Sequence, residues 1–459
     1  MVGLNSLLEV ARRAINTHQF GLNVVGNNIA NASRPEYSRQ RMETAPSATI
    51  TLAEGSIGTG VKVTGVYRMR DMFIDYKLRQ EYSLLGRWSY RENIMSQIDS
   101  VVNEPSDNGL GYLMNQFWDG WQELVNNPES GTARSVLRQR AESLTDRFQN
   151  LDETLRTYQN TMNTDLIGYV KEINNLTQAI ADLNQKIRNV GDANNRPNDL
   201  LDMRDHYIDE LSKYVDVEYY ETPNNSVAVI MNGKTLVDGA DVNRISTEAR
   251  LVDGHPMQTL VWENGHQELT VSDGSVKGLL EVRDEEIPAM LDKLDTLALS
   301  LVEQINSVHA TGYTLDGKTN VRFFDENTTG ASDFSLSNSV LTDVNNIAAG
   351  ATDSPGDNAI ALAIAGLRDQ NVLSDGTQTF DQYYNSIISE LGLVTQEAQF
   401  ASDTQNKVVQ QVENKKQETS GVSLDEEMVD LIKLQTAYQA ATKVVNTAND
   451  LMDVLMNMV

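Results

Sequence analysis

Both ends of the 459-residue chain carry a helix-period apolar stripe that no neighbouring segment covers. The N-terminal stripe consists of residues spaced three and four apart, namely Leu4, Leu8, Ala11, Ile15, Leu22, Val25 and Ile29. The C-terminal stripe keeps this spacing through Leu424, Met428, Leu431, Tyr438, Ala441, Val445, Ala448, Met452, Leu455 and Val459. An isolated helix of this kind is unstable, because the free energy gained on forming it is smaller than the entropic cost of ordering its backbone. We therefore predict that the stripes pack on each other or on other chains.

The composition excludes several classes of protein. Cysteine is absent, which rules out disulfides, iron–sulfur clusters and a cysteine nucleophile. The net charge of −28 argues against a nucleic-acid binder. The first 41 residues differ in charge. They contain five arginines, and Glu9 and Glu36 are their only acidic residues, so the segment has a net charge of +3. We find no apolar signal region and no stretch long enough to span a bilayer, so we expect no membrane insertion and no cleaved signal peptide.

The periodicity of the chain changes along its length. A seven-residue apolar repeat from Leu151 to Val190 predicts a long helix, and segments 287–308 and 394–412 have the same period. Residues 215–277 alternate as strands do, with turn dipeptides such as Asn232-Gly233. We predict a mainly α fold with inserted β structure, in which a terminal-helix coiled coil, a long helical-bundle domain and a small antiparallel β domain follow from these periods.

The predicted domain limits follow from the same pattern. Residues 1–60 and 420–459 form the terminal-helix domain, 61–214 with 278–311 and 356–419 the helical bundle, and 215–277 the inserted β domain. Residues 312–355 form an irregular segment with a hairpin at Asp316-Gly317. Ser6 with Glu9, and Ser423 with Glu426, each fit a capping box and predict the starts of the two terminal helices.

Sequence motifs of catalysis are absent. The five histidines are scattered, without a metal-binding pair, and there is no GxSxG elbow, Walker loop or GxGxxG helix start. Phe117, Trp118 and Trp121 fall at helical spacing, where core packing is the default and a partner-docking patch the alternative. We predict no catalytic, cofactor-binding or metal-binding residue, and interpret the chain as structural.

Motifs at both ends resemble one family. Gly26-Asn27-Asn28-Ile29-Ala30-Asn31, followed by Tyr37-Ser38-Arg39-Gln40, resembles the N-terminal signature of the bacterial flagellar axial proteins, and its Ser-Arg-Gln ending is similar to their hook-associated branch. Ser420-Gly421-Val422, Leu424-Asp425-Glu426-Glu427, Leu434-Gln435 and Ala437-Tyr438-Gln439-Ala440 resemble the C-terminal signature of the first hook–filament junction proteins. Leu200-Leu201-Asp202 and Arg204-Asp205 agree more loosely with the helical body of that family.

One corner departs from the family pattern. The family usually has Pro-Gly before Tyr-Ser-Arg-Gln, whereas Arg34-Pro35-Glu36 stands there in this chain. Glycine would allow positive φ at the third turn position, and glutamate makes that geometry costly. We therefore predict a type I turn at this corner.

The resemblance implies a structural role in the extracellular flagellum. Family members form a ring of identical subunits that joins hook to filament, with the terminal helices in an inner tube. They are exported unfolded through the flagellar type III apparatus, and a chaperone commonly holds the C-terminal segment. The implied neighbours are the hook protein and the second junction protein. Another axial protein, such as the second junction protein or a rod component, and a secreted hydrolase carried on axial-protein ends remain alternatives.

The resemblance and the stripes together predict an assembly interface at the two ends of the chain. We expect Arg39 to bind a carboxylate of a neighbouring subunit bidentately, because an arginine-rich segment can orient on an acidic surface. The predicted interface comprises Leu4, Leu8, Ile15, Leu22, Val25, Ile29, Asn31, Tyr37, Arg39, Leu424, Leu431, Tyr438, Val445, Met452 and Leu455.

Overall fold

The computed structural model describes residues 2–52, 55–102, 106–190, 196–222, 225–252, 254–354 and 356–457. Its helices are α1 (Val2–Asn31), α2 (Met72–Val102), α3 (Leu110–Asn126), α4 (Gly131–Val190), α5 (Asn198–Tyr214), α6 (Ser275–Glu281), α7 (Ile287–His309), α8 (Asn338–Thr342), α9 (Ala359–Gly366), α10 (Phe380–Ser420) and α11 (Leu424–Asn457). The strands are β1 (Gln40–Pro46), β2 (Thr49–Leu52), β3 (Gly55–Gly58), β4 (Val61–Arg68), β5 (Glu218–Thr222), β6 (Ser226–Met231), β7 (Lys234–Asp238), β8 (Asp241–Val242), β9 (Ile245–Val252) and β10 (His255–Trp262). The predicted fold class, mainly α with small antiparallel sheets, is confirmed.

The long helices carry the periodic segments of the sequence. Helix α4 has 60 residues, and so a length of about 90 Å, and buries most of the apolar repeat predicted for its C-terminal two thirds, although Val190 at its end is exposed. Helix α7 has Pro288 in its first turn, as its sequence predicts, and follows a π-helical turn, Val282–Glu286, that joins it to α6. Helix α10 contains the third periodic segment and packs along α2. Among the described helices, none combines the length and hydropathy that a bilayer-spanning helix needs.

The antiparallel strands of residues 218–262 lie against α4. Strands β5-β6-β7-β8 form one sheet and β9-β10 a separate hairpin. Asn232 and Gly233, both at positive φ, turn the chain from β6 to β7, as the sequence predicts for this dipeptide. Three asparagines of α4, Asn163 among them, bond to the backbone of the strands through their side-chain amides. Asn184 pairs with the backbone of Val227 at 2.9 and 3.0 Å, and Asn174 pairs with that of Ile245 at 2.7 and 3.1 Å.

The segment 312–354 packs into the helical core. Phe323, Phe324 and Phe334 are fully buried, and the Phe323 ring lies 5.0 Å from that of Trp121. The predicted turn at Asp316-Gly317 is present, with Gly317 at positive φ, but isolated bridges occur in place of paired strands in this segment. The default prediction that Phe117, Trp118 and Trp121 belong to the core is confirmed.

His309 is a fully buried titratable group of this core. Its Nδ1 donates to the carbonyl of Val321 at 2.8 Å, and its Nε2 accepts from the Ala348 amide at 2.8 Å, which fixes one neutral tautomer. Burial lowers the pKa of His309 from 6.5 to about 4. A protonated ring would lose the Ala348 hydrogen bond inside an apolar core.

We expect the folded protein to lose stability as the pH falls from 6.5 to 4, because His309 resists protonation in the folded state. Below pH 6.5 the unfolded chain binds a proton that the folded chain excludes until about pH 4. The free energy of unfolding should therefore fall by about 3 kcal/mol between pH 6.5 and pH 4 because of this residue. Urea unfolding across that range would measure the slope, with His309→Gln as the comparison. An equal slope in the variant would contradict the assignment.

The two ends of the chain come together in one unit. Helix α1 packs against α11 and against the β1–β4 ribbon, which continues as the exposed β2–β3 hairpin. We call α1, β1–β4 and α11 the terminal unit. The predicted cap at Ser6 is wrong, because α1 already begins at Val2, and Glu9 instead pairs with Arg12 and Arg13. The helix start predicted from Ser423 agrees with the structure, since Ser423 directly precedes α11.

Candidate functional site

The terminal helices run antiparallel and close together. Asn28 lies beside Glu427, and Gly21 lies beside Leu434, so positions that advance along α1 recede along α11. A Cβ added at Gly21 would come within 3.1 Å of the Leu434 methyl groups. Small buried residues line the rest of the seam, among them Ala11, Ala441 and Ala448. Small residues let the two backbones approach closely.

The large apolar members of the predicted stripes flank this seam. Val25 is buried, Leu424 is exposed, and most other members are half-buried, namely Leu4, Leu8, Ile15, Leu22, Ile29, Leu431, Tyr438, Val445 and Met452. Helix α11 includes Leu455, but its side chain lies outside the described residues. Asn31 bonds locally, with its Nδ2 donating to the Asn27 carbonyl at 2.9 Å. The structure thus brings the two helices together while the large apolar side chains keep part of their surface free.

A buried asparagine joins three segments of the terminal unit. The Asn28 Nδ2 donates to the Gln40 carbonyl and to Glu427 Oε2, each at 2.9 Å. The Asn28 Oδ1 accepts from the Gln40 amide at 2.9 Å and from the Tyr37 hydroxyl at 2.8 Å. All four hydrogen-bonding positions of this side chain are filled. The register of α1, the 37–40 segment and α11 is thereby set by one residue of the N-terminal motif.

Arg39 is bound by carboxylates of its own chain. Its Nε donates to Glu427 Oε1 at 2.7 Å and its Nη1 to Glu426 Oε2 at 2.6 Å. Burial acts to lower the pKa of Arg39, but the two carboxylates outweigh burial and raise it. The backbone of Arg39 donates to the Ser420 carbonyl at 2.8 Å, which connects the N-terminal motif to the end of α10. Its proposed contact with a neighbouring subunit stays a prediction.

The corner before Tyr37 is a tight turn. The Tyr37 amide donates to the Arg34 carbonyl at 3.1 Å, which closes the turn around Pro35-Glu36. Glu36 does not have positive φ, as expected for a type I turn. Burial, followed by the carboxylates of Asp199, Asp202 and Glu427, raises the pKa of the Tyr37 hydroxyl, so the group stays a hydrogen-bond donor.

A cluster of buried ions joins the terminal unit to the helical body. Ser38 of the N-terminal motif binds to this cluster, because its hydroxyl donates to Asp202 Oδ1 at 2.7 Å. We call the group the joint cluster, and its members are Arg68, Arg70, Arg79, Lys416, Asp75, Asp202, Asp205 and Asp209. They come from β4, the β4–α2 connection, α2, α5 and α10. Four cations therefore balance four carboxylates where the two parts of the molecule meet.

Asp205 lies at the centre of the joint cluster. Its carboxylate is 2.8 Å from Arg68, 2.9 Å from Arg70 and 3.5 Å from Arg79. Burial alone would raise the pKa of Asp205, but the arginines, Arg70 foremost, hold it far below its usual range. The carboxylate stays ionised and the cluster neutral.

Sequence reasoning missed the residues that complete this site. Asn28, Glu427, Asp202 and Asp205 lie inside the motifs that carry the family resemblance, but periodicity gives no sign of their partners. Their distant partners are separated from them by 126 to 399 positions. Their position inside these motifs was the feature of the sequence that could have identified them as site residues.

We expect Arg39→Ala to loosen the terminal helices without disturbing the body. The change leaves Glu427 buried with Asn28 as its remaining partner, which should cost about 1–3 kcal/mol. Native-state hydrogen exchange should show faster exchange in α1 and α11 and unchanged exchange in α4. Arg41→Ala, on the exposed side of β1, is the matched control. Equal protection in both variants would count against the role of Arg39.

The described residues contain no group of three or more histidine, aspartate or glutamate side chains arranged to hold a metal ion. The site is therefore a surface formed by two paired helices, α1 and α11, which the joint cluster connects to the helical body.

Comparison with known proteins identifies the family. The flagellar hook-associated protein FlgK helical domain matches residues 95–324, and the flagellar basal body rod FlgEFG protein C-terminal family matches residues 413–458. Flagellar hook-associated protein 1 of Bacillus subtilis (strain 168) is 32% identical over 494 residues, covering 98% of this chain and 97% of that protein. The protein of that name from Escherichia coli (strain K12) is 27% identical, covering 99% of this chain and all of the other.

A solved structure agrees at the level of the fold. The flagellar hook junction protein FlgK from Burkholderia pseudomallei superimposes with a TM-score of 0.69 at 16% identity, covering 75% of this chain and all of that one. The identity to the Bacillus protein and its coverage settle the assignment, and the chain belongs to the flagellar hook-associated protein 1 family.

Proposed function

We propose that this chain is a structural component of the bacterial flagellum that joins hook to filament. In this proposal identical subunits assemble into a ring through their terminal helices, and the chain catalyses no reaction. The observation that carries the proposal is the terminal unit, in which α1 and α11 pair but leave large apolar side chains partly exposed. A surface of this kind is completed by further copies or by neighbouring axial proteins.

The joint cluster supports a mechanical role. A junction must transmit torque and bending between its tube-forming end and its outer body, and a rigid connection serves this purpose. The ion pairs of Arg68 and the Ser38–Asp202 hydrogen bond hold the terminal unit on α5, and Arg70, which follows β4, pairs with Asp75 of α2. Removing any one member would leave the cluster with one uncompensated charge, which should destabilise this connection.

The proposal includes position and partners. The chain is exported unfolded through the flagellar type III route and resides outside the cell between the hook protein and the second junction protein. A cytoplasmic chaperone holds the C-terminal segment before export. The match of residues 413–458 to the C-terminal family of rod proteins supports contact with other axial proteins through α11.

Imaging of flagella from a strain lacking this chain tests the proposal. We expect complete hooks without filaments, with filaments restored by expression of the wild-type chain. Normal filaments in the deletion strain would overturn the junction role. A strain without hooks would instead indicate a rod component.

A further inference from the structure

Asparagine is a chemically labile residue, and it reacts most readily where glycine follows it, because no Cβ shields the glycine amide. The glycine amide nitrogen attacks the asparagine Cγ and the Cγ–Nδ2 bond breaks. The proton lost by the glycine amide is carried through water to the leaving nitrogen, which departs as ammonia. Water then opens the five-membered succinimide ring at either carbonyl and leaves aspartate or isoaspartate.

The sequence contains three such pairs, Asn108-Gly109, Asn232-Gly233 and Asn264-Gly265. In the folded chain the reaction needs an asparagine side chain that is free to rotate. It also needs a glycine amide that is open to water and has no hydrogen-bond acceptor. A hydrogen bond that must break before the attack adds to the barrier. The fold therefore decides which of the three pairs reacts.

Asn232-Gly233 is protected through its asparagine. The Asn232 Nδ2 donates to Thr270 Oγ1 at 2.7 Å and to the Thr270 carbonyl at 3.2 Å. Both residues of the pair have positive φ in the turn between β6 and β7. Rotation of the side chain onto the Gly233 amide would break both hydrogen bonds to Thr270.

Asn108-Gly109 is protected through its glycine. The Gly109 amide donates to the Ser106 carbonyl at 3.1 Å. Gly109 is buried and directly precedes α3, whereas Asn108 is exposed. The attacking nitrogen is therefore hydrogen-bonded and shielded from the water that must take its proton.

Asn264-Gly265 has neither protection. The pair lies in the loop that follows β10, and both residues are exposed. Among the residues that the structure describes, neither the Asn264 side chain nor the Gly265 amide has a hydrogen-bond partner. The base of the loop is closed, because the Trp262 amide donates to the Gln267 carbonyl at 2.9 Å and the His266 amide to the Trp262 carbonyl at 3.1 Å. These bonds hold the ends of the loop and leave its tip free.

We propose that Asn264 is the site at which this chain deamidates, through a succinimide with Gly265 and with water as the co-reactant. The folded chain undergoes this change without an enzyme. The proposal does not depend on the proposed function.

The products change the loop in two ways. Either product adds a carboxylate next to Glu263, close to Glu248, which pairs with His266. Isoaspartate also lengthens the backbone of the loop by one carbon, which disturbs the hydrogen bond between the Trp262 amide and the Gln267 carbonyl. We expect faster hydrogen exchange at the Trp262 amide in the modified chain.

Ageing of the purified full-length chain in mildly alkaline buffer, followed by peptide mapping with mass spectrometry, tests the proposal. Deamidation at Asn264 should be at least about fivefold faster than at Asn108 or Asn232, because at each of those pairs a hydrogen bond must first break. An isoaspartyl methyltransferase should label the peptide that contains residue 264. Equal rates at the three pairs, or a faster rate at Asn108 or Asn232, would overturn the proposal.

The same chain unfolded in urea is the matched control. There the three pairs should deamidate at similar rates, because the fold no longer distinguishes them. If Asn264 kept its lead in urea, the difference would come from neighbouring residues in the sequence, and the structural argument would fail.

Two variants test the physical reasons. Thr270→Val removes the hydroxyl acceptor and should raise the rate at Asn232 while leaving the rate at Asn264 unchanged. An unchanged rate at Asn232 would contradict the protection by Thr270. Asn264→Gln should abolish the modification at this position, because glutamine would have to close a larger ring. A deamidation signal of wild-type size from that variant would overturn the assignment of the site.

Discussion

Asp205→Ala should lower the free energy of unfolding by about 3–5 kcal/mol, because it removes one of the four carboxylates that balance the four cations of the joint cluster. Arg68 would keep Asp202, and Arg70 would keep Asp75 and Asp202, but the cluster would hold one more positive charge than negative. Urea unfolding of the purified monomer at pH 7 measures the loss.

Glu210→Ala is the matched control for this change. Glu210 lies one turn further along α5 and pairs with Lys213 at a half-exposed position. An ion pair of that kind contributes about 0–1 kcal/mol. If the two variants lost equal stability, the joint cluster would not be a stabilising connection between the terminal unit and the body.

The joint cluster also shows where sequence reasoning ends. The motifs Leu200-Leu201-Asp202 and Arg204-Asp205 stand out in the sequence, yet their partners Ser38, Arg68 and Arg70 lie more than 130 residues away. Periodicity reports which side of a helix is apolar, but it carries no information about which distant polar groups meet. The motif could be identified from the sequence, but its ion-pair partners could be identified only from the fold.

The sequence predicts the terminal helices, but it does not show which stripe residues pack against each other. The apolar stripes correctly indicate helices that need cover, and the structure pairs α1 with α11. The seam runs through the smallest members of the stripes, Ala11, Ala441 and Ala448, together with Gly21, which neither stripe includes. Hydrophobicity ranks these small residues low, whereas close packing of two backbones favours them. This leaves the large side chains half-exposed and available to other copies.

The pairing of Arg39 illustrates the same limit. The excess of five arginines over two glutamates near the N-terminus suggests an acidic partner, and the sequence places the acidic residues Glu426 and Glu427 at the other end. Only the antiparallel pairing of α1 and α11 shows that these carboxylates reach Arg39 within one chain. The charge argument identified the kind of partner but could not identify the partner residues.

The irregular segment 312–354 gave no periodic signal, although it is part of the core. Its role depends on Phe323, which contacts the rings of Trp121, Phe117 and His309 at centroid distances of 5.0, 6.0 and 5.5 Å. Asn306 holds the segment in place, because its Oδ1 accepts from the Phe323 amide at 2.8 Å. Three phenylalanines in an otherwise polar stretch were the available sign of burial.

Phe323→Ala should therefore lower the free energy of unfolding by about 3–5 kcal/mol, since it removes a fully buried ring from a close-packed aromatic cluster. Phe73→Ala is the matched control, because Phe73 is 76% exposed at the start of α2 and its removal should change stability by about 0.5 kcal/mol or less. Urea unfolding gives both values, and hydrogen exchange should show the loss of protection concentrated in residues 312–354 and α7. If the two variants were equally stable, the segment would be an appendage of the bundle, and the anchoring of its backbone by Asn306 would not depend on the aromatic core.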